Sequence, residues 1–269
     1  MNLSGRLKCF WLIILPVLFV TKPMLALTAF EIMSKVDARY TGETAISSTR
    51  MILIDKKERK RIREIEIFSK EFGDVDKSIS FFKSPGDVKG TSYMSFNWDS
   101  PSKEDDSWLY LPALQKVNRI ASSDRSGSFM GSDFTYTDID GFELGDYTYE
   151  LKKQSDLVDG KDCWIIELTP KNKKVIDKTG YLKSVQWIRK DIFIPVKGRI
   201  LVKKGKKIKL FSAKNITKID GIWTAKTLQM ITTKNKKLVH KSIFQLKDIR
   251  YNTDVNDQIF STEVMQRGL

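Results

Sequence analysis

The sequence predicts a mainly β protein with about ten or eleven antiparallel strands and one short leading helix. Short runs rich in β-branched and aromatic residues recur at near-regular spacing. Turn signals such as Pro85-Gly86 and Asp220-Gly221 separate these runs. The runs do not alternate with helical patterns, which argues against a Rossmann-type sheet. An antiparallel meander, a sandwich and a barrel all fit. Because the sequence has no internal repeat or linker, we predict a single domain over 27–269.

The N-terminus has the three parts of a secretory signal peptide. MNLSGRLK carries two cations and no acid, and the 12-residue apolar run CFWLIILPVLFV follows it. This run is too short to cross a bilayer, which takes ~20 residues. TKPMLA then ends in a small residue, so we predict a signal peptide over 1–26. The alternative is an uncleaved N-terminal anchor. The expected location is the periplasm.

The predicted helix begins at Thr28. Thr28 and Glu31 have the spacing of a capping box, and apolar residues follow at helical spacing. We expect this helix to end near Tyr40–Gly42.

Strand patterns fill the rest of the chain. Trp108–Ile139 is the least generic stretch, with a strand, a corner at Pro112, a second strand and a long polar loop. The tail from Asp257 is expected to form a short strand or hook. The other predicted strands cover 44–55, 61–71, 78–83, 91–98, 147–157, 163–170, 185–190, 197–202, 207–213, 214–219, 223–232 and 238–251.

The chain is strongly basic, with 47 Lys and Arg against 33 Asp and Glu and a net charge of +14. Such a charge predicts an anionic partner. Because the protein is expected to be exported, we favour transient contact with a membrane surface or an anionic lipid over nucleic acid. The cations concentrate in 197–209 and 234–241. The alternative interpretation is lysine that protects hairpin turns and sheet edges from pairing.

No catalytic pattern stands out in the sequence. His240 is the only histidine, and the run 127–131 is not a nucleophile elbow because Phe129 takes the nucleophile position. No Cys or His pair has metal-ligand spacing, and Cys163 lies in a strand pattern typical of core. We therefore predict no enzyme activity, no metal and no cofactor. The acidic residues are interpreted as solvated or as turn formers, namely Asp105, Asp106, Asp124, Asp133, Asp138 and Asp140.

The bulky apolar residues suggest a cavity for a large flexible ligand, although each of them alone is typical of ordinary core. An acyl chain of about 16 carbons has on the order of 12 kcal/mol at stake in water, so a soluble carrier must enclose it. The predicted cavity wall consists of Ile65, Ile67, Phe81, Met94, Phe96, Trp98, Trp108 and Tyr110.

The stretch WLYLPALQKVNRIASSDRSGSFMGSDFTYTDI resembles the outer membrane lipoprotein-sorting protein family, which is similar to the LolA/LolB periplasmic carriers. The resemblance rests on W-x-Y-x-P followed by Arg119 and then S-F-M-G-S-D-F-x-Y-x-D. It implies an incomplete antiparallel β-barrel wrapped around a few short helices. It also implies an inner wall that binds acyl chains, and a lipid or lipoprotein cargo. An RND/MMPL-type exporter would be the inner-membrane partner.

The resemblance also assigns roles within this stretch. Trp108, Tyr110 and Pro112 would build the wall. A movable lid would be formed by Phe129, Met130 and Phe134. Arg119 and Arg125 would contact backbone carbonyls or a lipid head group at the rim.

Two functions remain open at this point. The first is a periplasmic carrier that shuttles acylated cargo toward the outer membrane. The second is an adaptor or structural subunit of an exporter complex that carries nothing. An occupied apolar cavity separates the two.

Overall fold

The computed structural model describes residues 27–100, 103–141 and 143–269. The signal peptide predicted over 1–26 lies outside the described residues. Within these residues there are four short helices, α1 (Ala29–Asp37), α2 (Tyr136–Asp140), α3 (Lys173–Thr179) and α4 (Thr262–Arg267). None of the helices in the described ranges combines the length and apolar character needed to cross a membrane.

Thirteen strands in the described part of the chain form one antiparallel sheet. They are β1 (Thr44–Asp55), β2 (Lys60–Glu71), β3 (Val75–Ser84), β4 (Ser92–Trp98), β5 (Asp106–Leu111), β6 (Lys116–Arg119), β7 (Tyr147–Val158), β8 (Lys161–Pro170), β9 (Tyr181–Arg189), β10 (Pro195–Val202), β11 (Lys207–Ile219), β12 (Ile222–Lys234) and β13 (Lys237–Tyr251). The mainly β, open antiparallel fold class is confirmed, with more strands than the ten or eleven expected.

The sheet consists of two meanders joined at its centre. Its order is β6-β5-β4-β3-β2-β1-β13-β12-β11-β10-β9-β8-β7. The first and last strands of the chain pair in the middle, with Met51 opposite Phe244. The two edge strands, β6 and β7, are consecutive in the chain. The segment between them must therefore pass from one edge of the sheet to the other.

The sheet curls so that its two ends approach each other. β5 and β9 are nine strand spacings apart, which would be roughly 43 Å in a flat sheet. Yet Lys174 on α3, just before β9, holds Glu104, just before β5, at 2.5 Å. The face enclosed by this curl is called the inner face.

Residues 120–141, the crossing segment, pack on the inner face. Phe129 is 2% exposed and packs against Phe82 and Tyr93, with ring centroids 6.1 and 5.4 Å away. Phe134 packs on Phe244 of β13 at 5.0 Å. The crossing segment thus fills much of the space inside the curl.

The outer face is covered at one end by the C-terminal tail, residues 253–269. Phe260, Val264 and Met265 pack on β3 and β4 through Ile79, Met94 and their neighbours. Met265 is fully buried, and its carbonyl accepts a hydrogen bond from Ser92 at 2.9 Å. The strands β3 to β5 are therefore covered on both faces, which explains why Ile79–Phe82 are all buried.

Several local predictions are confirmed and others are wrong. The capping box at Thr28 and Glu31 is present. Helix α1 ends at Asp37, before the expected Tyr40. α3 was not predicted, and the tail forms α4 after a 3-10 turn rather than a strand. Cys163 is fully buried, as expected for core.

Candidate functional site

A cavity of about 300 Å³ lies between the inner face of β8–β12, helix α1 and the crossing segment. Its volume is at the lower end of the range for small-ligand pockets. Most of the lining is apolar and is contributed by Met33, Val36, Phe134, Leu168, Ile200, Phe211, Leu228 and Met230. The cavity is therefore suited to an apolar group of modest size.

The local sequence explains why these side chains face the cavity. Along β12, Leu228 and Met230 alternate with polar Gln229, so the apolar residues share one face. Opposite them on β11 stands Phe211, which pairs with Met230. Next to Phe211 on β10 is Gly198, where an added Cβ would lie 3.3 Å from the Phe211 Cβ. The glycine leaves room for the Phe211 side chain.

One end of the cavity is polar. The Tyr181 hydroxyl donates to Asp138 Oδ2 at 2.5 Å, and the Lys209 ammonium donates to the Tyr181 oxygen at 3.0 Å. Burial lowers the pKa of Lys209, although the nearby Asp138 and Asp133 oppose that shift. Burial, reinforced by Asp138, raises the pKa of Tyr181 well above its ordinary value. Tyr181 therefore stays a neutral donor at physiological pH.

A buried ion pair fixes the crossing segment beneath the sheet. Arg125 is 2% exposed, and its Nε and Nη2 donate to Asp140 Oδ2 at 3.0 and 2.6 Å. Its Nη1 donates to Asp105 Oδ2 at 2.8 Å. Burial disfavours the guanidinium charge, but Asp140 and Asp105 outweigh it and raise the pKa of Arg125. The Tyr93 hydroxyl donates to the other oxygen of Asp140.

A second polar cluster joins the crossing segment to β13. Asp133 Oδ2 lies 2.7 Å from His240 Nδ1 and accepts from the Ser242 hydroxyl at 2.7 Å. Thr232 donates to the other carboxylate oxygen. The three residue types match a hydrolase triad, but the geometry differs because Ser242 donates to the aspartate instead of the histidine. Ser242 is also fully buried. The cluster, in which Ser242 Oγ also lies 3.5 Å from His240 Nδ1, fastens the crossing segment to β12 and β13.

The predicted wall residues lie on both faces of the sheet. Ile65 and Ile67 face inward, in the cluster around Phe129. Five others, Phe81, Met94, Phe96, Trp108 and Tyr110, face outward beneath the C-terminal tail. Trp98 follows the same register, and its indole donates to Asp106 at 3.2 Å. The eight therefore do not form a common wall, because alternate residues of a strand face opposite sides. Their role in lipid binding stays a prediction.

The predicted lid residues all belong to the crossing segment, but they differ in position. Phe134 is the one of the three that lines the cavity. Phe129 is buried in the aromatic cluster with Tyr93 and Tyr136. Met130 adopts a positive φ of 48°, and its carbonyl accepts a hydrogen bond from Arg63. Movement of these residues as a lid stays a prediction.

The two arginines occupy unlike positions. Arg119 has a side chain that is 62% exposed and pairs with Asp106 at the sheet edge. Arg125, expected at a rim, lies instead in the interior between carboxylates. Asp105 and Asp140 were expected to be solvated, yet their side chains are 6% and 1% exposed. Arg125 offsets part of the lost hydration, although burial still raises the pKa of Asp140.

Sequence reasoning missed most of the cavity lining. The alternation in β10 and β12 was visible, but it predicts only that one face is buried. Within the described ranges, no group of three or more acidic, His or Cys side chains could hold a metal ion.

Comparison with known proteins adds to this geometry. A family model described as "Uncharacterized protein" matches residues 74–267. The outer membrane lipoprotein-sorting protein domain from Vibrio parahaemolyticus is 32% identical, with a TM-score of 0.79 over 89% of this chain and 98% of that one. This chain belongs to the outer membrane lipoprotein-sorting protein family. Its resemblance to that family is thereby confirmed.

Two further solved structures resemble this chain. A DUF1329 family protein from Desulfovibrio piger is 29% identical, with a TM-score of 0.79 over 88% of this chain and 97% of that one. A LolA superfamily protein from Nitrosomonas europaea is 21% identical, with a TM-score of 0.66 over 88% and 99%. At that identity the last likeness supports the fold alone. No curated protein matches the chain.

Proposed function

We propose that this protein is a periplasmic carrier that holds an acyl chain of a lipid or lipoprotein in the inner-face cavity and shuttles it toward the outer membrane. The apolar lining between the sheet and the crossing segment is the observation that carries the proposal. Membership of a lipoprotein-sorting family supports it. On this proposal the protein acts by binding and releasing cargo rather than by catalysis.

The cavity volume sets how much of a chain it holds. A methylene group needs about as much room as a water molecule, about 30 Å³, so the cavity takes on the order of ten methylenes. Each buried methylene contributes about 0.8 kcal/mol, which gives on the order of 8 kcal/mol for the chain. That free energy is enough to hold a single acyl tail with useful affinity.

The polar end of the cavity suggests an orientation for the cargo. The acyl tail would lie against Phe211, Leu228 and Met230. The ester or amide group would lie near Tyr181 and Asp138, which can donate and accept hydrogen bonds. Periplasmic location is supported by the signal-peptide pattern, and delivery from an RND/MMPL exporter by the family resemblance alone.

Filling the cavity tests the proposal. Leu228→Trp places a large side chain in the cavity, and we expect at least a tenfold loss of affinity for a fluorescent fatty acid. Leu210→Trp is the matched control, because Leu210 lies on the neighbouring strand but is 39% exposed on the outer face. Thermal melts establish that both variants fold, and native mass spectrometry of the purified protein detects co-purified lipid.

Two results would contradict the carrier. A wild-type protein that neither co-purifies with lipid nor binds the probe would favour the non-carrying adaptor. Equal probe binding by the Leu228→Trp and Leu210→Trp variants would move the site elsewhere. Trp98→Glu then distinguishes the predicted wall from the inner-face cavity, because only the wall prediction requires it to abolish binding.

A further inference from the structure

At their hairpin ends, the central strands expose several aliphatic side chains on the outer face. The C-terminal tail covers the outer face of β3 to β5 and reaches Phe68 on β2 and Ile46 on β1, but the hairpin ends of β1, β2 and β10 to β13 keep aliphatic residues exposed. Pairing places one set of aliphatic side chains together on this face, for example Leu210 opposite Ile231 and Ile52 opposite Ile62. The set, called the aliphatic patch, is Ile52, Ile54, Ile62, Leu201, Ile208, Leu210, Ile231, Leu238 and Ile243.

These residues are accessible. Ile62, Leu201 and Leu238 are 45%, 43% and 43% exposed, and Leu210 is 39% exposed. The other five are half-buried. An exposed aliphatic surface of this extent on a single face is typical of an interaction site.

The hairpins beside the patch hold most of the net charge of the protein. The turns β1–β2, β10–β11 and β12–β13 lie at the same end of the sheet, because these strands form an antiparallel meander. Residues 55–61, 203–207 and 234–241, called the basic hairpins, contain 13 Lys and Arg and two acids. Their net charge is +11, against +14 for the whole chain.

Few of these cations are neutralised within the protein. Within the described residues, Arg59 and Lys203 are the two that form a salt bridge with a carboxylate. Further down the same face, Glu64 is held at 2.9 Å by both Arg50 and Lys247. The charge of the basic hairpins is thus available to an external anion.

We propose that the aliphatic patch and the basic hairpins form a docking face for an anionic lipid bilayer. A bilayer presents a continuous plane of negative charge, which all three hairpins can meet at once. Eleven of the 13 cations are lysines, which act as point charges and do not require the bidentate geometry that arginine prefers. The adjacent aliphatic side chains can then enter the interfacial region.

The docking face lies next to the polar end of the cavity. Tyr181, at that end, pairs with Val202 just before the β10–β11 hairpin, and the Lys203 amide donates to the Gly180 carbonyl at 2.9 Å. Docking would therefore bring this end of the cavity toward the membrane. The inference adds a surface to the proposed carrier but does not require an occupied cavity.

Vesicle binding tests the docking face. The full-length mature protein is mixed with vesicles of phosphatidylglycerol and phosphatidylcholine in equal amounts, or of phosphatidylcholine alone, and sedimented. We expect binding to the anionic vesicles at about 0.1 M salt and its loss at about 0.5 M. Each cation at an anionic surface contributes about a fivefold factor, so replacing four exposed lysines by Gln should weaken binding roughly 100-fold or more. These four are Lys204, Lys206, Lys236 and Lys237.

A matched variant changes the net charge equally at the opposite end of the sheet. It replaces four exposed lysines by Gln, namely Lys161, Lys214, Lys218 and Lys226. We expect it to weaken binding less than tenfold. Leu201→Ser with Leu238→Ser should also weaken binding, because the apolar contact is lost while the charge is unchanged.

Three outcomes would overturn the proposal. They are equal weakening by both quadruple variants, no effect of the double Ser variant, or no binding of the wild type to anionic vesicles. The last result, with capture of the protein by an acidic polypeptide instead, would assign the face to a protein partner. Fatty-acid probe binding is measured on the same samples. A variant that loses vesicle binding but still binds the probe separates the docking face from the cavity. If a variant misfolds, the salt dependence of wild-type vesicle binding still tests the proposal.

Discussion

Arg125 shows how the crossing segment depends on one buried charge. It is the largest fully buried side chain in the described structure, and it joins the crossing segment to the approach to β5 through Asp105. The desolvation of such an ion is costly unless carboxylates and hydrogen bonds surround it. Here Asp140 and Asp105 supply both, and Tyr93 and Asn97 hold the Asp140 residue itself.

Replacing Arg125 by Met should destabilise the protein strongly. The change leaves the buried Asp140 without its cation, while Asp105 keeps only Lys178 at 3.6 Å. Breaking a buried pair in this way takes about 3–5 kcal/mol from the free energy of unfolding. Urea unfolding measures the loss. Arg119→Met is the control, expected to lose less than about 1 kcal/mol because that pair is exposed. Similar losses for the two variants would show that the buried pair does not hold the fold.

The aspartates around Arg125 also show what sequence reasoning could not reach. Asp105 and Asp140 lie in polar stretches, and carboxylates in such stretches are ordinarily solvated. Their burial follows from the crossing segment lying inside the curled sheet and meeting the loop before β5. This contact joins residues far apart in sequence, and the local pattern around each aspartate contains no sign of it.

At the scale of elements, the C-terminal tail is a structural cover. It buries the apolar outer side of β3 to β5, including the tryptophan and phenylalanine residues that suggested a cavity wall. The aromatic richness of these strands is thus accounted for by packing on two faces. The binding surface need not include them.

Met265→Ala should therefore destabilise the fold. Met265 is fully buried on α4, and truncating a buried Met typically removes about 2–5 kcal/mol from the free energy of unfolding. Gln266→Ala changes the exposed neighbour on the same helix and should have an effect within about 0.5 kcal/mol. Chemical denaturation measures both. An unchanged unfolding midpoint for Met265→Ala would mean that the tail is not part of the cooperative fold.

The elements that sequence predicts well are those with local signals. The Thr28 capping box and most strands follow from neighbouring residues and alternation. The pair Phe81-Phe82 also contains a usable signal, because consecutive apolar residues indicate a strand buried on both faces. The covering elements are not contained in that signal. Helix α3 also has local signals in the sequence, because Asn172 caps its start and Gly180 its end. The lysine-rich sequence between them made this short segment look like a turn.

For the whole molecule, the cavity volume limits how much chain length improves binding. Affinity for saturated fatty acids should rise about fourfold with each added methylene, because each contributes about 0.8 kcal/mol. The rise should flatten at on the order of ten carbons, when the volume is filled. Displacement of the fluorescent probe by a series of acids measures the slope. An undiminished rise to the longest acids would require a larger enclosure than the inner-face cavity.

The central pairing of β1 with β13 has a consequence for the order in which the protein can be made. A ribosome completes the N-terminal meander early, but β1 then has an open hydrogen-bonding edge until the last strand emerges. The tail that seals β3 to β5 is made later still. Long-range contacts of this kind slow folding, and they leave a partly made chain exposed to wrong pairing. The sheet can be completed only after β13 has been synthesised.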